Sequence, residues 1–285
     1  KFWIFALPTM AAFTIGFIVP FVYGIFLSFC KFSTVTDWKW VGFKNYTRIF
    51  VVNGSVDTTF IHSIWYTALF TVVSVLIINI VSFAIAMALT KGIRGTNLFR
   101  TVFFLPNLIG GIVLSYVWLM IFNSILQNYS KTIVSSEWSA FWGLIAVVCW
   151  QQIGYMMIIY VAGLNNVSPD LIEAAQIDGA TRLQRIRYIT LPCIKGTIVV
   201  VLIMTMGNLF GGGLSGSNFE QCYLLGNNVN ADTSSIIQTY VFDVGLAQGR
   251  YSYATAVGLI QSVISLILIF ISNCVSKKTA GAGLF

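Results

Sequence analysis

His62–Leu89 reads HSIWYTALFTVVSVLIINIVSFAIAMAL, 28 consecutive residues without a Lys, Arg, Asp or Glu. A helix needs about 20 predominantly apolar residues to cross the hydrocarbon of a bilayer. Hydrocarbon offers no partner to an unpaired backbone group, so a spanning segment is either a helix or a strand of a closed barrel. The run is continuously apolar rather than alternating, which predicts a helix. Five further stretches share the property: 3–29, 101–122, 140–164, 196–214 and 252–275. All 25 charged side chains lie outside the six.

Composition points the same way. Of 285 residues 57% are hydrophobic and only 9% charged, against about 25% charged in an ordinary soluble domain. An aromatic content of 15% excludes a disordered chain. The 16 basic residues are too dispersed to form a nucleic-acid stripe. One His and five scattered Cys provide neither metal-ligand spacing nor a disulfide framework. The expected fold is an all-α membrane protein, with six transmembrane helices in a single domain over 1–285. The first run is expected to stay as a span, being too long for a cleaved signal and followed by no A-x-A site.

Six spans place both ends of the chain on one side. With those ends inside, segments 1–2, 90–100, 165–195 and 276–285 hold ten of the 16 basic residues and three of the nine acidic ones. Lys91, Arg94 and Arg100 crowd one short loop, the feature the positive-inside rule weighs most. Lys31, Lys39, Lys44 and Arg48 oppose it from the other side. No Lys, Arg, Asp or Glu falls within a span, which argues against proton relays, voltage sensors and charged-ring channels. His62, at a span end, reads as an interfacial or packing residue rather than a general base. Gly211–Gly216 fits G-x-G-x-x-G, but it follows an apolar span and opens no βαβ unit, so it reads as a place where a helix bends or ends.

The loop 165–195 carries the functional signal: NNVSPDLIEAAQIDGATRLQRIRYITLPCIK. Ser168 is placed to N-cap a helix, with Pro169 in its first turn and Asp170 favourable to its dipole. Leu171, Ala174, Ala175 and Ile177 form a small-residue apolar stripe. Asp178-Gly179 ends the helix in a turn that needs positive φ at Gly179. A second, basic helix is expected over Ala180–Ile189, stopped by Leu191-Pro192 before the fifth span. Such an exposed, small-surfaced knob suits a partner's groove; a plain solvated loop fits the residues as well.

Glu173-Ala174-Ala175-x-x-x-Gly179, followed after nine residues by Ile189-x-Leu191-Pro192, resembles the EAA loop of binding-protein-dependent ABC importer permeases. Trp150-x-x-x-Gly154-Tyr155 and Asp178-Gly179-Ala180 resemble the carbohydrate branch, related to maltose and multiple-sugar permeases. The resemblance covers most of the chain and is strongest over 60–275. It implies a type I importer permease in the bacterial inner membrane, paired with a second homologous permease subunit. Two ATPase subunits would carry ATP and Mg and receive the coupling loop through Glu173, Ala174, Ala175, Asp178, Gly179, Leu191 and Pro192. An extracytoplasmic binding protein would deliver a sugar or oligosaccharide. The chain itself would bind no cofactor, bind no metal and catalyse no reaction.

A neutral sugar is held by amides, hydroxyls and aromatic faces rather than by ion pairs. Trp150, Gln151, Gln152 and Tyr155 in the fourth span and Asn208 in the fifth supply these, where the resemblance places the translocation cavity. Asn79, Gln261, Ser262 and Ser265 are weaker candidates. Interhelical hydrogen bonding accounts for such groups equally well. Other polar solutes, such as a glycerol-phosphate, and a stand-alone carrier or channel are the alternatives. In the outside segment, Asp232 or Thr233 is expected to cap a helix with Ile236, Ile237, Tyr240, Val241 and Val244 on one face. That segment and Phe32–Thr59 are candidate contacts for the binding protein.

Overall fold

The computed structural model describes residues 2–34, 36–50, 58–92, 94–127, 137–211, 217–226 and 234–281. Most of Gly211–Gly216, the end of the fifth span and the Asp232 and Thr233 caps lie outside these residues. The described residues are helical apart from one two-stranded hairpin.

Helix α1 comprises Phe2–Phe13, a π turn at Thr14–Ile18 and Val19–Ser28. Strands β1 (Cys30–Thr34) and β2 (Asp37–Trp40) pair antiparallel, and α2 is Lys44–Phe50. Then follow α3 (Thr58–Leu89), α4 (Thr96–Leu108), α5 (Gly111–Gln127) and α6 (Glu137–Asn165). The loop helices are α7 (Pro169–Ile177) and α8 (Arg182–Cys193). After them come α9 (Lys195–Gly211), α10 (Ser217–Leu225), α11 (Ile237–Phe242) and α12 (Tyr251–Ala280).

Among the described residues four helices are long and apolar enough to cross a membrane alone: Ala6–Ser28, Thr58–Leu89, Trp138–Asn165 and Tyr251–Lys278. Two bent pairs bring the count to six when each is one span. The third span is therefore not the single helix 101–122. It is α4 and α5, crossing at 99°. Ile109 is extended there, at φ −81° and ψ 128°, between Pro106 and the pair Gly110-Gly111. A proline clashes with the preceding turn, and glycines hold a helix weakly. At the fifth span the loop helix α8 meets α9 at 73°.

The chain divides into two compact units. The first comprises 1–64 and 237–264. In it α1 presents nearly its whole surface outward, only 6% of its apolar window being buried. The hairpin, which the sequence reading did not anticipate, stands against the end of α1: Trp38 meets Phe26 edge-on at 4.8 Å, and Trp40 stacks on Phe29 at 5.6 Å. Asn45 fixes the same corner by donating to the carbonyls of Ser28 and Cys30. The stripe expected around Tyr240 is turned inward as core: Ile237, Tyr240 and Val244 are buried with Ile49, Phe60, Tyr253 and Val257. The Tyr240 and Tyr253 hydroxyls meet at 2.9 Å.

The second unit, 65–236 and 265–285, holds the candidate site. Its centre is α6, 67% of whose apolar window is buried. Leu144, Val148, Gln151, Gln152, Met156 and Tyr160 recur at helical spacing on the buried face. Packing of α4 against α6 depends on Gly154, where a Cβ would overlap the Phe103 carbonyl oxygen. Hence the Trp150-x-x-x-Gly154 spacing has a steric reason: the backbones touch there.

Candidate functional site

The loop between the fourth and fifth spans is two helices joined by a tight turn. Ser168 occupies the N-cap position of α7, at φ −59° and ψ 129°, but its side chain makes no cap hydrogen bond. Pro169 and Asp170 fill the first turn as expected. The other end is closed by backbone alone. Gly179 N–H donates to the Gln176 carbonyl at 3.1 Å, and Ala180 N–H reaches back to the Ala175 carbonyl at 2.9 Å. With Gly179 at φ +78° this is a complete Schellman motif. The expected positive φ is present, and the terminal carbonyls of α7 are satisfied without a side chain.

The surface of α7 is small and open. Glu173 and Ala174 are exposed, Ala175 is half-buried, and Ile177 is 87% exposed. Asp178, the C-cap residue, and Gly179 are exposed as well. An Ile open to that degree beside two alanines is apolar surface without a partner in this chain.

The second helix differs from expectation at both ends. It begins at Arg182, because Thr181 and Gln184 form a capping box: Thr181 N–H donates to Gln184 Oε1 at 2.7 Å, and Gln184 N–H donates to Thr181 Oγ1 at 3.4 Å. The Thr-x-x-Gln pattern was legible in the sequence and went unread. Nor does Leu191-Pro192 stop the helix, which runs on to Cys193 and turns at Ile194. A π turn over Ile186–Thr190 absorbs the proline, with Leu191 N–H donating to the Ile186 carbonyl five residues back. The same device precedes Pro20 in α1, where Val19 N–H donates to the Thr14 carbonyl. A proline cannot bond the carbonyl four residues earlier, and the wider turn makes room for its ring. Leu191 is half-buried and Pro192 exposed at the far end of α8.

The polar candidates of the spans divide into two kinds. Gln151 is committed within the chain: its Nε2 donates to the Ile109 carbonyl at 3.4 Å, and its Oε1 accepts from Gln221 Nε2 at 2.6 Å. This joins the break of the third span, the middle of the fourth and the short helix α10. Asn218, one turn earlier in α10, donates to the Leu209 carbonyl. Neither Gln221 nor Asn218 was singled out from sequence, because α10 lay in a segment read as an outside loop. Gln152 is also buried. Asn79 accepts from the Tyr160 hydroxyl at 2.8 Å and donates to the Val75 carbonyl. The other kind has polar groups to spare. Asn208 is exposed on α9 and Tyr155 half-buried on α6, and neither side chain hydrogen-bonds among the described residues. Trp150 is 42% exposed, its ring edge-on to Trp118 at 5.4 Å.

Residues 80–281 match the family described as the inner membrane component of binding-protein-dependent transport systems. The chain belongs to that family. It is 34% identical to the probable starch degradation products transport system permease protein AmyD of Thermoanaerobacterium thermosulfurigenes, over 95% of this chain and 94% of that one. It is 31% identical to the polygalacturonan/rhamnogalacturonan transport system permease protein YteP of Bacillus subtilis, over 98% and 88%. Among solved structures, it superposes with a TM-score of 0.82 and 26% identity on a chain of a bacterial ABC transporter involved in the import of the acidic polysaccharide alginate. That match covers 98% of this chain and 95% of the other. In this inner-membrane component the match takes in every residue of the coupling and span-four sets.

Proposed function

We propose that this chain is the permease through which ATP hydrolysis on separate ATPase subunits drives import of a sugar or oligosaccharide. A second, homologous permease would complete the pathway, and an extracytoplasmic binding protein would deliver the substrate. The observation that carries this reading is α7: a short exposed helix of small residues, its far end locked by the Schellman turn at Gly179. A rigid knob of this kind transmits a push, whereas a solvated loop would yield. Glu173, Ala174 and Ala175 would seat in an ATPase groove, with Asp178 and Gly179 setting the exit angle. Leu191 and Pro192 would continue the stroke through α8 into the fifth span.

The carbohydrate reading is supported by the named substrates of the relatives. Trp150, Tyr155 and Asn208 would contact the sugar, since their faces or polar groups are available. Gln151, with its amide already used, would hold α10 against the spans, and Gln152 would line the same stretch of α6.

The test is transport by the assembled complex in proteoliposomes with ATP enclosed and binding protein outside, scored on a panel of labelled oligosaccharides. Ala175→Trp should abolish uptake and substrate-stimulated ATP hydrolysis while the binding protein keeps its affinity. Uptake that proceeds without ATP, driven by an ion gradient, would overturn the assignment.

A further inference from the structure

Beneath the loop helices, within the second unit, lies a cavity of about 620 Å³, inside the range of roughly 300–1,000 Å³ typical of ligand pockets. It opens where α3 and α6 end and where α7 and α8 cross below them. Its apolar lining comes from Met87, Leu164, Val167, Ile172 and Ile186. Three cations share the lining: Lys91 from the end of α3, and Arg182 and Arg185 from the first turn of α8. Among the described residues none of the three side chains has an ion pair or hydrogen bond. Asp170, Glu173 and Asp178, the acidic groups of the same loop, do not line it. Arg187, the next cation of α8, is used differently, over the Tyr188 ring at 5.8 Å.

Lys91 and Arg182 are exposed and Arg185 is half-buried, so their charges are free to meet an anion from outside, and an anion that also covers the apolar lining must carry an apolar part. The depth identifies its source. Leu89 and Asn165 are the last helical residues of two membrane-length helices, so the six-span reading puts the cavity at headgroup level, on the side to which it assigns the excess of Lys and Arg. Basic pockets between helix ends on that side take anionic lipid headgroups. We infer that this cavity binds an anionic phospholipid of the inner leaflet, its phosphate among Lys91, Arg182 and Arg185 and its first acyl carbons against Met87, Ile172 and Ile186. Because Ile172 and Gln176 of α7 also line the cavity, the bound lipid braces the membrane-facing side of the proposed coupling helix. That last link rests on the transport reading above; the binding itself does not.

The experiment is native mass spectrometry of the full chain with whatever subunits co-purify, after exchange into a non-ionic detergent supplemented with equal phosphatidylglycerol and phosphatidylcholine. Wild type should retain phosphatidylglycerol preferentially. Arg182→Gln should lower that retention roughly fivefold, the effect of one basic residue at a charged membrane surface, and Arg182→Lys should preserve it. Ile186→Trp, which fills the apolar lining and keeps all three charges, should also lower it. Equal retention of both lipids would overturn the proposal, as would unchanged retention when Lys91, Arg182 and Arg185 are all replaced by Gln. Displacement of the lipid by inorganic phosphate alone would mark a site for a soluble anion and overturn it too. So would a triple variant that keeps its lipid but loses its ATPase subunits, since the cations would then serve a protein contact.

Discussion

Gly179 separates two effects that a single substitution would confuse. At φ +78° the residue is in the left-handed region, where an L-residue with a Cβ costs about 1–2 kcal/mol. Yet a Cβ built at Gly179 meets no heavy atom within 4 Å. Inside this chain, then, Ala and Leu should cost the same, and neither should disturb packing. Gly179→Ala should shift the loop about five- to thirtyfold toward states with the Schellman bonds open, lowering the rate of uptake without loss of subunits. Gly179→Asn should fall between Gly and Ala, since Asn visits this region most readily after glycine. Gly179→Leu is the discriminating member. Gly179 is exposed, so a loss of subunits or activity beyond that of Ala, at unchanged thermal stability of the chain, reports a partner surface there. Initial uptake rate, substrate-stimulated ATPase activity and ATPase retention on purification would be measured across the series. If Leu matches Ala in all three, nothing closes over the turn and the groove reading fails. If Ala matches Gly, the strain argument fails.

The buried amide pair gives a second expectation. Gln151→Leu or Gln221→Leu alone should destabilise by about 1–3 kcal/mol, because the remaining amide loses its partner; the double variant should cost less than the sum, read as thermal unfolding in detergent. Gly154→Val should cost about 1–3 kcal/mol or more by forcing α4 off α6, seen as a lower melting temperature and poorer yield. Thr181→Ala should weaken the start of α8 by about 1 kcal/mol, which amide hydrogen exchange at Leu183–Arg185 would detect. Asn208→Ala and Tyr155→Phe, whose polar groups are unused within the chain, should leave thermal stability unchanged while raising the substrate concentration needed for half-maximal uptake; wild-type uptake in both would remove them from the sugar site.

The spans were legible because lipid imposes one rule along their whole length. A run without charges must be helix, and the runs at 62–89, 140–164 and 252–275 are helical throughout. The turn at Gly179 was legible for a similar reason, since Asp-Gly after an apolar stripe leaves few backbone solutions. The bends were not. At 101–122, hydropathy registers only that each residue tolerates lipid or protein, so a helix broken at Ile109 scores like a straight one. Pro106 and Gly110-Gly111 marked the place, but a proline inside a span has several outcomes that composition does not distinguish. One is the sharp bend of α4 and α5; another is the π turn that carries α1 past Pro20 and α8 past Pro192; a third is Pro8, which lies within the α-helical stretch Phe2–Phe13. Which occurs depends on whether neighbouring groups satisfy the freed backbone.

That dependence explains why the polar residues of the fourth span lie where they do. The extended backbone at Ile109 leaves a carbonyl without a helical partner, and in an apolar setting an unmatched carbonyl is expensive. Gln151 Nε2 supplies the donor from α6, and Gln221 in turn occupies the amide oxygen of Gln151. Gln151, one of the amides that sequence reading offered to a sugar, thus serves the bend itself. Trp150 and Tyr155, the proposed sugar contacts on α6, share their helix with Gln151, which holds the third span bent. Trp150 and Gln151 are neighbours on α6, one turned outward and one into the bend. A ligand that moves Trp150 therefore acts on the same turn of helix that holds Ile109, which gives substrate contact a direct route to the shape of the span.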